Sequence, residues 1–362
     1  MNEKEACVAL NLIPKLGPVR VHRLLEAFGS AEAVLRAKRA ELCAVPGIGE
    51  EVAGCVSQWE TSVDLPSELG RAADFGAEIV TARDPLYPPL LREIHNAPIV
   101  LYVWGRLSEA DHRAISIVGS RKTTHYGVES TRKLAYQLAY AGLTVVSGLA
   151  RGIDTAAHMG ALAAKGRTVA VLGSGLLSLY PPENRELAER IAGQGAVVSE
   201  FPMLTPPGAQ TFPQRNRIVS GWSEGLLVVE AGLRSGALIT AGQAADQGRT
   251  LYVVPGQIDR PTSAGSNRLI QQGARLVTGA SDILEEMRFM GEPPPETDPG
   301  RELPLNDAER AVYEAIDENE TKVDRIAEKS RLPPAVVSST LLALEFKRLV
   351  KQLPGQYYVK LS

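Results

Sequence analysis

The 362-residue chain carries 39 Lys and Arg against 42 Asp and Glu, a formal net charge of −3, with 44% hydrophobic and 22% charged residues. Such a composition excludes disordered, collagen-like and globally basic chains, and the length implies two or three domains at about 100–200 residues each. The three cysteines, Cys7, Cys43 and Cys55, form no CxxC pair, so neither a disulfide framework nor a zinc site is indicated and a reducing cytoplasm is the expected setting.

The N-terminus, MNEKEACVALNLIPKLG, is acidic where a signal peptide would be basic, and no apolar run approaches the ~18 residues that span a bilayer. Residues 1–65 read as short helices divided by glycine turns, with the outline of a SAM or helix-hairpin-helix domain. In PGIGEE two glycines can turn backbone N–H groups toward a phosphate, and LIPKLGPVR has the look of a degenerate partner hairpin. Glu50 and Glu51 stand where a duplex-binding hairpin favours Lys or Arg, so a packing or interaction role is expected for this domain.

Residues 66–288 form the predicted central domain. Two extended runs, EIVTARD and PIVLYVWG, lead into six apolar runs: AISIVGS, LTVVSG, TVAVLGSG, AVVSEF, LLVVEAG and TLYVVPG. Helical stretches at 124–141, 153–165, 183–194 and 236–248 alternate with them. Near-continuous apolar strands between helices predict an α/β fold, a doubly wound parallel sheet with helices on both faces. Residues 110–285 hold seventeen Lys and Arg against thirteen Asp and Glu, whereas residues 1–65 hold seven against nine and residues 303–362 nine of each. Attraction to phosphates therefore falls to the middle of the chain.

A linker is expected at 289–304, where GEPPPETDPGRE cannot pack. In 305–362, three helical patterns and a hairpin around Pro354 and Gly355 outline a winged helix. Its third helix presents small and apolar residues, with Lys347 and Arg348 only at its end. Groove reading needs Arg, Asn or Gln on that face, so a protein-contact or regulatory module is expected.

In a parallel sheet, ligands sit beyond the C-terminal strand ends, where helix N-termini offer N–H groups to anions. The loop after AISIV is GSRKTT, which lacks GxGxxG, and the next strand ends without the acid that would hold a ribose; both departures argue against NAD. The same loop places Gly119, Ser120, Arg121 and Lys122 at the strand end, and a guanidinium beside a helix start suits a bidentate phosphate contact. Further strand-end segments add Arg151, then Gly173, Gly175 and Asn184, then Arg215, Asn216 and Arg217 from TFPQRNRIVSG, and finally Arg234, Ser235, Gly236 and Thr240. Five glycine-rich or basic loops at one edge predict an anion pocket. Tyr126, Tyr180 and Phe212 are the candidate base-stacking rings.

Asp154 and His158 are four apart on a helix but have no third ligand partner, so a cap role outweighs metal binding. Glu200 and Glu230 end strands; pairing with nearby arginines is favoured over acid/base chemistry. GxxxxGK[ST] and HExxH are absent. No catalytic residue, metal or cofactor is read from the sequence, and no enzyme activity is expected.

These segments, YPPLLREIHNAPIVLYVWG, IVGSR, SGLARGIDTAAH, VLGSGLLSLYPPEN, SEFP, FPQRNRIVSG, VVEAGLRSGALITA and VVPGQIDRPTSAGSNRLIQQGA, resemble the DNA processing protein A (DprA/Smf) family over residues 87–275. The resemblance implies an extended Rossmann-like domain flanked by a helical domain and a winged helix, binding single-stranded DNA in a basic pocket as a homodimer. It also implies protection of incoming DNA and loading of the RecA recombinase during natural transformation. By the family pattern Gly119, Ser120 and Arg121 are phosphate contacts, and the QRNR cluster lines the same groove. The alternative is a nucleotide phosphoribohydrolase, which would show PGGxGTxxE where this chain has VVEAGLRSGALITA.

Overall fold

The computed structural model describes residues 1–290, 305–317, 320–346, 349–353 and 355–360. All six apolar runs are strands, β3 Ala114–Val118, β4 Thr144–Ser147, β5 Thr168–Val171, β6 Ala196–Ser199, β7 Gly225–Val228 and β8 Thr250–Val253. The two lead-in runs are β1 Glu78–Thr81 and β2 Val100–Gly105, and a short β9, Arg275–Leu276, completes a nine-stranded sheet of order β1-β2-β6-β5-β4-β3-β7-β8-β9. Strands β3 to β9 pair with one another in parallel; β2 runs antiparallel to both β6 and β1. The chain thus starts in the middle at β3, steps outward to β6, and returns to lay β7 against the free side of β3.

Helices α1 Glu3–Leu12, α2 Pro18–Phe28, α3 Ala31–Arg36, α4 Arg39–Cys43, α5 Glu50–Ser57, α6 Trp59–Ser62 and α7 Leu65–Phe75 precede the sheet, and α8, Pro89–Glu93, joins β1 to β2. The sheet's own helices are α9 His125–Tyr140, α10 Ile153–Ala163, α11 Arg185–Gln194, α12 Thr211–Trp222, α13 Gly236–Asp246, α14 Ala264–Gln271 and α15 Ala280–Met290. Period-two alternation along β3 sends Ile115 and Ile117 into a core with Leu134, Ala157 and Ile283 of α9, α10 and α15, and sends Ala114 and Val118 to the other face with Trp222 and Ala241 of α12 and α13. Trp222 is fully buried there and donates its ring N–H to Asp111 O at 3.0 Å; its replacement by Ala would cost about 3–5 kcal/mol.

The N-terminal helices share one core with the sheet: Leu10, Leu24 and Val34 cluster with Val100, Tyr102, Ala170 and Val197. Helical structure runs on through Phe75, past the expected break after residue 65, because α7 belongs to that core: Glu68 is 2% exposed and accepts the Met203 N–H at 2.7 Å. The PGIGEE turn forms as expected, with Gly47 at φ +82°, and its two acids are answered locally, Glu50 by Arg39 at 2.7 Å and Glu51 by Lys15.

Residues 289 and 290 complete α15, and the rest of the expected linker, 291–304, lies outside the described residues, as do Lys347, Arg348 and Pro354. The C-terminal domain is a winged helix of α16 Asp307–Ala315, β10 Thr321–Lys322, α17 Val323–Ser330, α18 Pro334–Phe346, β11 Val350–Leu353 and β12 Tyr357–Lys360, with strand order β10-β12-β11. Its third helix, α18, buries Val337, Leu341 and Leu344 in its own core while Thr340 meets the Tyr140 hydroxyl of α9 at 3.2 Å. Among the described residues no helix is long and apolar enough to cross a membrane.

Candidate functional site

Because β3 and β7 are neighbours whose following helices, α9 and α13, pack on opposite faces, the sheet has a switch point between them, where ligand crevices open in such folds. A cavity of about 630 Å³ lies there, walled by the segments after β3, β4, β7 and β8 and by the first turns of α12. Ten of the fifteen residues read as the anion pocket line it, Gly119, Ser120, Arg121, Lys122, Arg215, Asn216, Arg234, Ser235, Gly236 and Thr240, together with Asp154 and the candidate ring Phe212.

The loop after β3 is fixed by its own backbone. Ser120 N donates to Glu230 O at 2.7 Å, Lys122 N to Ser120 Oγ at 3.2 Å, and a Cβ on Gly119 would stand 2.5 Å from Ile153 Cγ1. Arg121 and Lys122 remain exposed. The start of α9 is not an open anion site as the sequence suggested. The Glu230 carboxylate, from the end of β7, accepts the Thr124 N–H at 2.9 Å and the Thr123 and Thr124 hydroxyls at 2.7 and 3.0 Å. Burial raises this carboxyl, but the hydroxyls of Thr262, Thr123 and Thr124 and the Thr124 N–H outweigh it and hold it below the usual carboxylate range.

The start of α13 differs. Ser235 caps it by accepting the Ala237 N–H at 3.3 Å, no acid occupies its first turn, and Gly236 faces open space, with nothing within 4 Å of where a Cβ would sit. An exposed Arg234 precedes it, so this helix end presents its positive dipole and a cation together.

Arg121 lays its guanidinium over the Phe212 ring, 5.1 Å from the centroid; the Tyr180 ring follows at 5.9 Å, and Arg151, paired with Glu183, covers Tyr180 at 5.8 Å. Two neighbouring rings therefore stand between two cations along one edge of the cavity. Gly173 leaves the room for this, since a Cβ there would stand 2.7 Å from Phe212 Cδ1.

The segment TFPQRNRIVSG is a helix, α12, and not a loop, with a consequence for its arginines. Residues two apart on a helix diverge by about 200°. Arg215 points under the cavity, donating to Gly148 O at 2.6 Å and to Val171 O; burial lowers its guanidinium to about 10, with Asp154 opposing and Arg121 adding to the shift. Arg217 points away, into a buried two-pronged pair with Glu200 at 2.9 and 2.6 Å, and lines no part of this cavity.

Asn184 is likewise a brace, buried and donating to Leu149 O at 2.8 Å and Thr155 Oγ1 at 2.9 Å. Gly175 is required by the close approach of the Pro202 and Met203 carbonyls, and Gly173 and Arg151 border the cavity through the ring ladder without lining it. Glu200 has its arginine, whereas Glu230 has threonines instead. Asp154 sits beside Arg215, while His158 is fully buried against Thr168 at 2.7 Å and burial pushes it down to about 3; each has its own partner. Among the described residues no group of three or more His, Cys, Asp or Glu could hold a metal ion. Sequence reasoning missed Thr262 and Ile239 in the cavity wall; no local pattern marks either.

The profile of the DNA recombination-mediator protein A family matches residues 78–288, a DprA winged helix domain matches 292–356, and a SAM-like helix-hairpin-helix tandem matches 9–54. Protein Smf of Synechocystis is 34% identical, covering 99% of this chain and 98% of its own length. The DNA processing protein DprA of Bacillus subtilis is 41% identical over 62% of this chain and 75% of its own. Among solved structures, DNA processing protein A of Streptococcus pneumoniae superposes with a TM-score of 0.70 at 33% identity, over 79% of this chain and 98% of that one. DNA processing protein A of Helicobacter pylori, described for its single-stranded DNA binding mode, gives 0.54 at 26% identity over 60% of this chain and 99% of its own.

Proposed function

The chain belongs to the DprA/Smf family, and from that premise we propose that its switch-point cavity holds the phosphates of single-stranded DNA without transforming them. The observation that carries this reading is the row of Arg121, Phe212, Tyr180 and Arg151, two rings between two cations, beside the open start of α13. Exposed guanidiniums and a helix dipole suit phosphates, and the two rings offer faces to unpaired bases. A duplex keeps its bases stacked inward and cannot use those rings, so single strands are favoured. Phosphate and ring contacts carry little base information, so sequence preference is weak.

Asp154 is the one carboxylate among the lining residues, and it lies beside Arg215. Burial raises its carboxyl against the pull of Arg215, and it accepts the Ala150 N–H at 3.3 Å; a buried carboxylate spent on bracing the loop after β4 supports a binding role for the cavity. The family setting extends the proposal: a cytoplasmic homodimer that protects incoming strands and loads RecA on them during natural transformation. Titration with single- and double-stranded oligonucleotides across a salt series tests the core of it. Preference for the single strand with a falling log–log salt slope is expected; equal affinity for both forms would refute it. Light scattering at micromolar concentration tests the dimer, and RecA assembly on protein-coated strands tests the loading.

A further inference from the structure

A second cavity, about 560 Å³, adjoins the first: Thr262 lines both. It is built from Thr124, His125 and Tyr126 at the start of α9 and from the segment after β8, and it shares no residue with the cleft around Tyr180 and Phe212. The main cavity therefore lies between a ring ladder and this second space.

Its walls have a distinct chemistry. Tyr126 is 53% exposed, and its ring is anchored by the hydroxyl, which donates to Pro255 O at 3.0 Å. Arg260, an exposed residue, donates its Nε–H to Gln257 Oε1 at 3.1 Å, a bond that uses neither the Gln257 amide N–H₂ nor the terminal guanidinium N–H groups. Asn267 holds the loop by accepting the Gly256 N–H at 3.1 Å and donating to Gly256 O at 3.0 Å. No Asp or Glu is among the residues that line it. A tethered aromatic face, an amide and a cation on a braced loop, without a carboxylate, match the parts of one unpaired nucleotide: a π-face, polar base edges and a phosphate.

We propose that this second cavity is a nucleotide subsite for the same strand, in which Tyr126 stacks a base and Arg260 meets the flanking phosphate. The inference rests on the reading of the main cavity as a single-strand site. It assigns the bound strand a path from Arg151 and Tyr180, across Arg121, to Tyr126 and Arg260. Stacking on Tyr126 has no hydrogen-bond requirement of its own, so this station tolerates any base. Any bias in that choice would come from the polar lining side chains, the Gln257 amide among them, through a base edge.

The test uses the full chain and fluorescein-labelled oligothymidylates of increasing length, read by anisotropy at fixed salt. Wild-type affinity is expected to rise by a step once the strand outgrows the main cavity. Tyr126→Ala should lose that step, about a tenfold weakening on long strands, while leaving the shortest binding strand unchanged; Tyr126→Phe should retain it. Arg260→Ala should make the salt slope shallower by about 0.7 on long strands alone. The subsite is overturned if both alanine variants keep the wild-type step while Arg121→Ala loses binding at every length. If Arg121→Ala also binds as wild type, the reading of the main cavity falls with it. A drop in solution mass for Tyr126→Ala and for Ile258→Ser, Ile258 being 98% exposed next to Gln257 on the same loop, would overturn the subsite differently, by showing that this face joins two copies.

Discussion

Two helices begin on either side of the switch point, α13 in the wall of the main cavity and α9 in that of the second, and they treat negative charge in opposite ways. At α9 the chain supplies its own anion, since the Glu230 carboxylate takes the Thr124 N–H and two threonine hydroxyls. At α13 the first turn holds no acid and Gly236 looks into open space. A helix N-terminus is worth about the same to an anion wherever it occurs, so what separates the two is occupancy. The closed end fixes the loop that carries Arg121; the open end is left to the ligand. On the α9 side, attraction to phosphate thus passes from backbone N–H groups to the side chains of Arg121 and Lys122.

The largest expected effect tests that transfer. Arg121→Ala should weaken single-strand binding by about 1.5–3 kcal/mol, the worth of a hydrogen bond to a charged group, and make the log–log salt slope shallower by about 0.7 for each phosphate the guanidinium had neutralised. Thermal stability should stay within about 0.5 kcal/mol, because the side chain is exposed. Were the α9 amides the main anchor, affinity and slope would survive, and anisotropy titration separates the two outcomes.

Glu230→Gln probes the closed end. It removes the charge that Thr124, the N-cap of α9, holds at the helix start, and should destabilise the protein by about 1 kcal/mol, the upper end of a dipole contribution at an exposed helix end, measured by urea unfolding at pH 7. The pH dependence has a definite sign. A carboxyl held below its ordinary value stabilises the fold fully above the unfolded range near ~4.3 and loses that contribution as pH falls toward its depressed folded value. The Gln variant should therefore show a flatter acid limb below about pH 5. Identical acid limbs for the two proteins would remove the charge from the account.

The smallest effect sharpens the comparison most. Gly236→Asp gives α13 an anion of its own, with room for the side chain. Stability should rise by roughly 0.3–1 kcal/mol through the dipole while single-strand affinity falls. Opposite signs in the two measurements mark an end kept empty for a ligand; affinity unchanged beside raised stability would mean that phosphates do not approach α13.

Much of this architecture is legible in the chain, and the failures share a cause. The six apolar runs became the six central strands because strands buried on both faces must be apolar nearly throughout. The winged helix was legible for a similar reason. The hydrophobic pattern did not show that α7 adds to the N-terminal layer, because it is held by Glu68 against Met203, a bond between distant segments. Reading QRNR as one basic cluster failed on helical geometry, which turns Arg215 and Arg217 to different partners. Asn184 and Gly175 carry the same residue types as ligand-binding positions elsewhere, but their polar atoms or close approaches are taken up inside the fold.

By itself the sequence determined the order of the six central strands and of the helices between most of them, the edge at which the loops gather, and Arg121 at the mouth of the first of them. Those features follow from local rules: periodicity, burial of apolar runs and the position of turns between them. Only the tertiary structure decided which helix start is open, because Glu230 reaches Thr124 across 106 positions of sequence. It also decided which rings stand together, since Phe212 and Tyr180 come from separate segments, and which arginines face the cavity. A charge becomes a binding site or a structural pair according to what stands within hydrogen-bond reach in space, and no spacing along the chain encodes that.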